Sequence, residues 1–550
     1  MPRHTPLLAL ALVLGAACHD PVAGGDRRYH APPNPQGVSI LTQHVDNSRA
    51  GWNASETLLT TSNVDATHFG KLFTLSVDDQ VYAQPLVAGK LAIADSAHNV
   101  VFVATVNNTL YAYDADDGTL YWQKNYTASG MRPPRNTDMA GACGGGYVDF
   151  SGNIGIVGTP VIDSTTKTIY FVTRSTTGSA FVQHLHAVDI VTGSERAGSP
   201  VKISATASGT GDGSVNGRIT FDAQHQNQRQ GLTLVNGVVY VTFSSHCDWG
   251  PYHGWILGYD AATLQQRTVW NSTPNGSNGG IWESGMGLAA DAAGNLYGVV
   301  GNGTVGDSGS VSNVTNRGES ALKLSPSGAT MQVASWFTPY NYQELNDYDN
   351  DYGGMGAFLI PGSNLFLTGD KAGNLYLLDK DAMGGYQPTT NNVLEVVPLG
   401  GSANLHAQPA FYGGATKEFV YVWSENDALR AIPFLRANSY LDQTSTVFGP
   451  GTGPTGQNGA VLAVSSNGTT PGSAILWASY AASGDAEHTV SPGVLRAFDA
   501  SDVTKELWNS HIDPNRDAVG SYAKFASPTI ANGHVYLPTF SGAVVVYGER

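Results

Sequence analysis

The feature that most constrains this chain is an internal repeat. In "HNVVFVATVNNTLYAYDADDGTLYWQKNY", residues 98–126, two alternating strands, a turn rich in Asp and Gly and a third strand carrying Trp122 follow one another. The segment "YAQPLVAG" just upstream supplies a fourth, innermost strand. The same four-part unit recurs at intervals of roughly 50 to 75 residues, which is the signature of a radial array of sheets. Turn residues mark the copies: Asp114, Asp189, Asp260, Asp379 and Asp499, with degenerate copies at "ALKLSPSG" and "DALRAIPF". The last unit, "SPTIANGHVYLPTFSGAVVVYGER", holds three strands and stops at Arg550, while "GKLFTLSVD" near the start has no unit of its own. Joining the two gives an all-β, eight-bladed β-propeller closed by an N-terminal strand that completes the C-terminal blade, an arrangement that leaves no long exposed sheet edge.

Composition agrees with an all-β chain, since 66 Gly and 27 Pro among 550 residues supply turns at short intervals. A formal net charge of -16 argues against nucleic acid as a partner, because phosphate tracking needs clustered Lys and Arg. Residues 1–18 read as a signal peptide: Arg3 gives a positive start, "LLALALVLGAA" is too short to span a bilayer, and small residues precede Cys18. "LGAAC" resembles a bacterial lipoprotein signal with Cys18 as lipid anchor, although Gly15 stands where a larger aliphatic residue is commoner; ordinary cleavage is the alternative. The expectation is an exported protein, periplasmic or an outer-membrane lipoprotein, possibly displayed at the cell surface. It is a monomer that meets the membrane only through the lipid. Residues 19–68 then form an N-terminal extension and 69–550 one propeller.

"AYDADDGTLYW" resembles the tryptophan-docking motif of pyrroloquinoline quinone (PQQ) propellers, with Ala112, Asp114, Gly118 and Trp122 at its spacing. "AVDIVTGSERA" matches through Ala187, Asp189, Thr192 and Gly193 but has Ala197 at the Trp position. Over residues 69 to 550 the chain is similar to the quinoprotein alcohol dehydrogenase-like superfamily, and most to a bacterial group of exported PQQ-repeat proteins. The turn Asp residues and Trp122 themselves read as scaffold, because such an Asp accepts local backbone N–H bonds and such a Trp packs between sheets.

Sites on a propeller gather on the face that carries the loops entering the innermost strands and those joining second to third strands. Aligning the innermost strands puts Gln84, Thr159, Gln230, Met286, Met355, Gln408 and Ser527 in one ring around the channel mouth, with Arg229, Trp282, Glu283, Asp351, His406 and Lys524 just before. The resemblance implies a Ca²⁺ ion that holds and polarises PQQ while a carboxylate takes a proton from an alcohol or sugar. On that reading Glu283, Asp351 and Asp349 are metal ligands and Asp351 also the catalytic base. Lys524, Arg229, Trp282 and Gln408 then contact the cofactor. Two features depart from the dehydrogenases: there is no Cys-Cys pair, and no C-x-x-C-H to attach a haem. A non-catalytic envelope propeller that scaffolds protein assembly or binds glycan is therefore the rival reading.

"NDYDNDYGG" sets Asp347, Asp349 and Asp351 at alternate positions like the start of a calcium loop, but Tyr352 and Phe358 occupy the positions of the essential Gly and Glu, so a solvated acidic loop competes. "SHCDWGPYH" offers zinc-type ligands. Cys247 there and Cys143 fall in loops of one face on adjacent blades, so a Cys143–Cys247 disulfide is the expectation, with zinc or free thiols as alternatives. His184 and His186 alternate along one strand and read as structural.

Overall fold

The computed structural model describes residues 37–550 apart from 308–309, 312–314, 401–403, 455 and 457–458. The expected signal peptide and Cys18 lie outside the described residues. Eight blades, each antiparallel within itself, surround one axis, and in blades 1 to 7 the blade strands follow chain order from the centre outward. The innermost strands are Leu86–Ile93, Val161–Asp163, Thr233–Val235, Ala289–Ala290, Phe358–Leu359, Ala410–Gly413, Val461–Ser465 and Thr529–Ala531, which define blades 1 to 8. The outermost strand of blade 8 is Phe69–Ser76, which pairs antiparallel with Ala543–Glu549, Phe69 opposite Glu549 and Ser76 opposite Ala543. One extra hairpin, Thr206–Ser208 with Arg218–Thr220, projects between blades 2 and 3.

Blades pack face to face through the apolar side of each alternating strand. Between blades 7 and 8, Phe69, Trp477, Trp508 and Tyr547 form one buried aromatic cluster, with Phe69 edge-on to Trp508 at 5.0 Å. The docking motif does what its residue types suggest. Trp122 leaves the outer strand of blade 1 and donates from Nε1 to Ile190 O (3.1 Å) in the next blade, lying over Gly193. Gly193 has φ +66, and a Cβ there would come within 2.8 Å of the indole. The turn carboxylates are scaffold: Asp114, Asp189, Asp260, Asp379 and Asp499 each accept from the backbone N–H two residues on, at 2.8 to 3.1 Å.

Before reaching blade 8 the chain crosses the axis. Residues 38–56 run as a strap through the channel and bond to every innermost strand. Ile40 pairs with Val87 in blade 1, and the carbonyls of Leu41, Asn47, Ser48, Ala50 and Gly51 accept from Ile162, Ala290, Leu359, Phe411 and Val464 in blades 2, 4, 5, 6 and 7. Asn47 Nδ2 reaches Leu234 O in blade 3, and Asn53 Nδ2 reaches Ile530 O in blade 8. At its centre Arg49 is fully buried and donates to Leu288 O, Thr42 Oγ1, Gln43 O, Leu232 O and Thr233 Oγ1. Its five N–H bonds are all used, and all on uncharged acceptors. Burial pushes this guanidinium down to about 10, so it stays charged at neutral pH.

Removing that side chain takes one donor each from the buried carbonyls of Leu232 and Leu288, which keep Thr42 Oγ1 and Thr233 Oγ1, and removes the guanidinium's donors to Gln43 O, Thr42 and Thr233. Arg49→Ala is expected to cost more than about 3 kcal/mol in urea unfolding, while Leu58→Ala, at an exposed position of the same segment, changes stability by under about 0.5 kcal/mol.

Candidate functional site

Where the inner-strand entry loops and the second-to-third strand loops converge, the channel mouth opens into a cavity of about 200 Å³. Of the sequence-expected residues, Arg229, Trp282, Asp349, Asp351, Lys524, Cys143 and Cys247 line it. Glu283 and Gln408 do not. The backbone at Glu283 and Ser284 is left-handed (φ 43 and 48), which turns the Glu283 side chain down between blades, where its carboxylate accepts from Val299 N (2.6 Å). There burial pushes the Glu283 carboxyl well up. Gln408 lies in the floor, donating to Ser284 O (2.6 Å) and Phe525 O (2.8 Å) and accepting from Ser527 Oγ (2.7 Å). The ring from Gln84 to Ser527 thus seals the channel below the pocket rather than forming its mouth; every member is buried.

On one side of the pocket, Asp351 is ion-paired to Lys371 Nζ at 2.6 Å, and the same ammonium lies 3.2 Å from Asp349 Oδ1. Burial works against charge on Lys371, but Asp351 and Asp349 outweigh it and hold its ammonium above the ordinary lysine range. Asp349 also accepts from Asn302 Nδ2 (2.6 Å). Behind this pair, burial and then the Asp351 charge push the Glu319 carboxyl well up. Asp347 ends the short helix Tyr342–Asp347 and accepts from Gln343 there, so the three alternating Asp side chains do not converge.

Across the cavity, Lys524 Nζ donates to Glu487 O, and Glu487 Oε2 stands 3.5 Å from His406 Nδ1. Burial opposes ionisation of Glu487, but His406, Lys524 and Arg229 together hold its carboxyl far below the usual range. Burial brings the Lys524 ammonium down to about 8 against the pull of Glu487 and Asp149. Arg229 is wedged between aromatic faces, 4.3 Å from the centre of Phe525 and 5.5 Å from that of Trp282, with one long bond to Trp282 O (3.5 Å). Asp149 and Asp248 complete the lining; burial raises both carboxyls, that of Asp248 to about 6.

Cys143 and Cys247 are disulfide-bonded with Cα atoms 5.4 Å apart, joining the loop ahead of blade 2 to the second-to-third strand loop of blade 3. The other zinc-type candidates are committed elsewhere. His246 contacts Tyr147 and Arg174, and His253 contacts Thr273 Oγ1 and Asp212 O. His186 is held between Thr173 and Glu195 in the blade 1–2 interface, a structural setting.

No group of three or more His, Cys, Asp and Glu side chains arranged to hold a metal ion exists among the described residues. Calcium expected on Glu283, Asp349 and Asp351 does not fit: the first carboxylate points out of the pocket, and the Lys371 ammonium already bridges the other two. Trp282 and Phe525 flank Arg229, and Lys371 and Lys524 stand in the same cavity among the carboxylates of Asp149, Asp248, Asp349, Asp351 and Glu487. Sequence reading overlooked Lys371, Glu487 and Asp149. Lys371 and Glu487 lie in second-to-third strand loops of blades 5 and 7, the loops that the propeller geometry assigns to this face.

The fold defines the class: an eight-bladed β-propeller. Residues 71–299 match the family model described as outer membrane protein assembly factor BamB. Among solved structures the chain is similar to a quinohaemoprotein alcohol dehydrogenase from Pseudomonas putida HK5, with 12% identity, a TM-score of 0.58, and 93% of this chain and 80% of that one covered. It is also similar to the quinohaemoprotein alcohol dehydrogenase from Comamonas testosteroni, with 13% identity, a TM-score of 0.55 and the same coverage. At such identities the likeness is one of fold. A search of curated proteins returns no match. Among the described residues no helix is long and apolar enough to cross a membrane.

The disulfide closes a loop with a sequence separation of 104 residues, so the double variant C143S/C247S is expected to lose about 2–4 kcal/mol in urea unfolding. Peptide mapping of the protein prepared without reductant is expected to show both cysteines protected from alkylation.

Proposed function

We propose that the channel-mouth pocket binds a carboxylated quinone of the PQQ type and that the protein oxidises an alcohol or sugar there, without a divalent ion. The observation that carries this reading is the meeting of three cations, Arg229, Lys371 and Lys524, with the aromatic faces of Trp282 and Phe525 and the buried carboxylate of Asp351 in one cavity. When bound, PQQ supplies a two-electron acceptor that no side chain offers. Arg229 and Lys524 would hold carboxylates of the cofactor, with Trp282 beside it in the same cavity. Asp351 accepts the proton of the substrate hydroxyl. Lys371, 2.6 Å from Asp351, would take the part otherwise given to a metal as the positive charge beside that carboxylate. The sealed floor excludes water from below. Export to the periplasm, with or without a lipid on Cys18, is part of this proposal.

A second reading, a non-catalytic envelope propeller that binds protein or glycan, is favoured by the family match over residues 71–299.

One titration separates the two. Purified protein receives PQQ in the presence of a chelator and, separately, with Ca²⁺, and is then offered alcohols and sugars with a redox dye. The expected outcome is bound-quinone absorbance in both conditions and dye reduction with at least one substrate. Asp351→Asn retains the quinone and loses turnover by about 10²- to 10⁴-fold. Absence of bound quinone in both conditions overturns the proposal, and binding without turnover moves it to the second reading.

The pH dependence has a definite sign. Lys524 loses its proton as pH rises through about 8, so affinity for the carboxylated cofactor falls there, and Lys524→Met abolishes that part of the profile.

A further inference from the structure

Arg174 lies in the second strand of blade 2, Thr168–Thr176, and is 2% exposed. No carboxylate among the described residues lies within ion-pair distance of it. It is an expensive group to bury, and its contacts show what it holds in place. Nη2 lies 2.6 Å from Asn227 Oδ1, and Nη1 lies 3.3 Å from His246 Nε2.

A guanidinium only donates, so both neighbours must present acceptors to it. That fixes the orientation of the Asn227 amide: its oxygen faces Arg174, and its NH₂ is left for the pocket that Asn227 lines. The same logic fixes the tautomer of His246. Burial, followed by the Arg174 charge, holds this imidazole neutral, and Nε2 must offer its lone pair. The ring proton is therefore on Nδ1, 2.8 Å from the Tyr147 hydroxyl. That hydroxyl accepts from Nδ1, and its own proton is left to donate. Tyr147 also lines the pocket, and neither the Asn227 NH₂ nor the Tyr147 O–H meets an acceptor among the described residues. Two residues beyond Asn227, Arg229 adds a guanidinium with no ion-pair partner among the described residues.

We infer that Arg174 is a positioning residue that sets the hydrogen-bond polarity of this wall, making Asn227, Tyr147 and Arg229 a donor-only subsite for a ligand carboxylate. A carboxylate accepts at both oxygens and brings the negative charge that would pair with Arg229; a hydroxyl accepts but brings no charge, and an ammonium would leave donor facing donor. The disulfide serves the same wall. Cys143 is four residues before Tyr147, and Cys247 directly follows His246, so the cross-link holds the two halves of the relay together. The inference rests on the pocket being a ligand site, as proposed above, and names the chemistry of one of its walls.

The tautomer is tested without any ligand. Nitrogen NMR of histidine-labelled protein, with His246 assigned by the loss of its signals in His246→Gln, is expected to show Nδ1–H; an Nε2–H ring overturns the inference. The wall is tested with trimesate, a planar aromatic tricarboxylate, and its uncharged triol analogue, titrated into the full chain by calorimetry. Trimesate is expected to bind at least about tenfold more tightly than the triol, and Asn227→Asp, which turns donor into anionic acceptor, to weaken it by about tenfold or more. Arg174→Met is expected to weaken trimesate by a similar factor in the wild-type background, yet to have no further effect in N227A/Y147F. Equal losses in both backgrounds would show a merely structural role and overturn the positioning claim, as would failure of the wild type to bind trimesate. Should Arg174→Met not fold, the Asn227→Asp result and the tautomer decide. Trimesate binding with no uptake of PQQ sinks the quinone reading and leaves this inference standing; PQQ binding indifferent to Asn227→Asp does the reverse.

Discussion

The strap through the axis is the contact on which the rest of the structure depends. A ring of eight sheets satisfies its outer strands by pairing, but each innermost strand keeps one edge facing the channel, and buried backbone groups there must find partners. The strap supplies them from its own backbone, with carbonyls that take amides of blades 2, 4, 5, 6 and 7 in chain order. Its path has to turn within a narrow channel, and His44, Val45, Arg49 and Gly51 with positive φ make that turn. Arg49 holds the curve: its Nη1 bonds to Thr42 and Gln43 of the strap, while Nε and Nη2 bond to blades 4 and 3. With five donors in a rigid fork, one side chain ties two blades and both limbs of the turn, which the single ammonium of a lysine could not reach at once.

Above the strap the floor residues form a second layer, and the two layers together make the pocket a cup rather than a tunnel. Gln43 of the strap reaches Gln408 of the floor (3.4 Å), and Gln408 in turn fixes the carbonyls of Ser284 and Phe525. Phe525 is the face on which Arg229 rests. A continuous path of packed and hydrogen-bonded groups therefore runs from the hub to a cation of the site. The left-handed run at Glu283 and Ser284 sits on this path; its strain is tolerated because Val299 N and Gly354 O hold the two side chains from either side.

Architecture was legible in the sequence because it is written in period and turn chemistry, which are local. The Cys143–Cys247 pairing was legible for the same reason, once blade order placed both loops on one face. Site residues were legible only where position along a blade decided exposure: Arg229, Trp282, Asp351 and Lys524 precede innermost strands and reach the cavity. Glu283 has the same position and misses it, because its left-handed backbone points the side chain downward, and no residue type announces that. Arg174 was not legible, since "TIYFVTRST" reads as a half-buried strand, and the burial of its guanidinium is imposed by blade 3. Nor did the strap show itself, because it bonds mainly through carbonyls that every residue carries.

The charges of the pocket explain how a scaffold of this class can keep its architecture while its chemistry is reset by single residues. Two carboxylates at a channel mouth need positive charge nearby, and either a divalent ion or an ammonium meets that need. Here Lys371 supplies it from the second-to-third strand turn of blade 5. A covalently attached cation cannot be stripped by chelation. On the opposite wall Arg174 does the converse: being unpaired, it passes its donor character outward through an amide and an imidazole to the cavity surface. One buried cation thus pairs with a carboxylate and the other orients the donors of a wall, and the distance between the two sides is set by the blades that carry them.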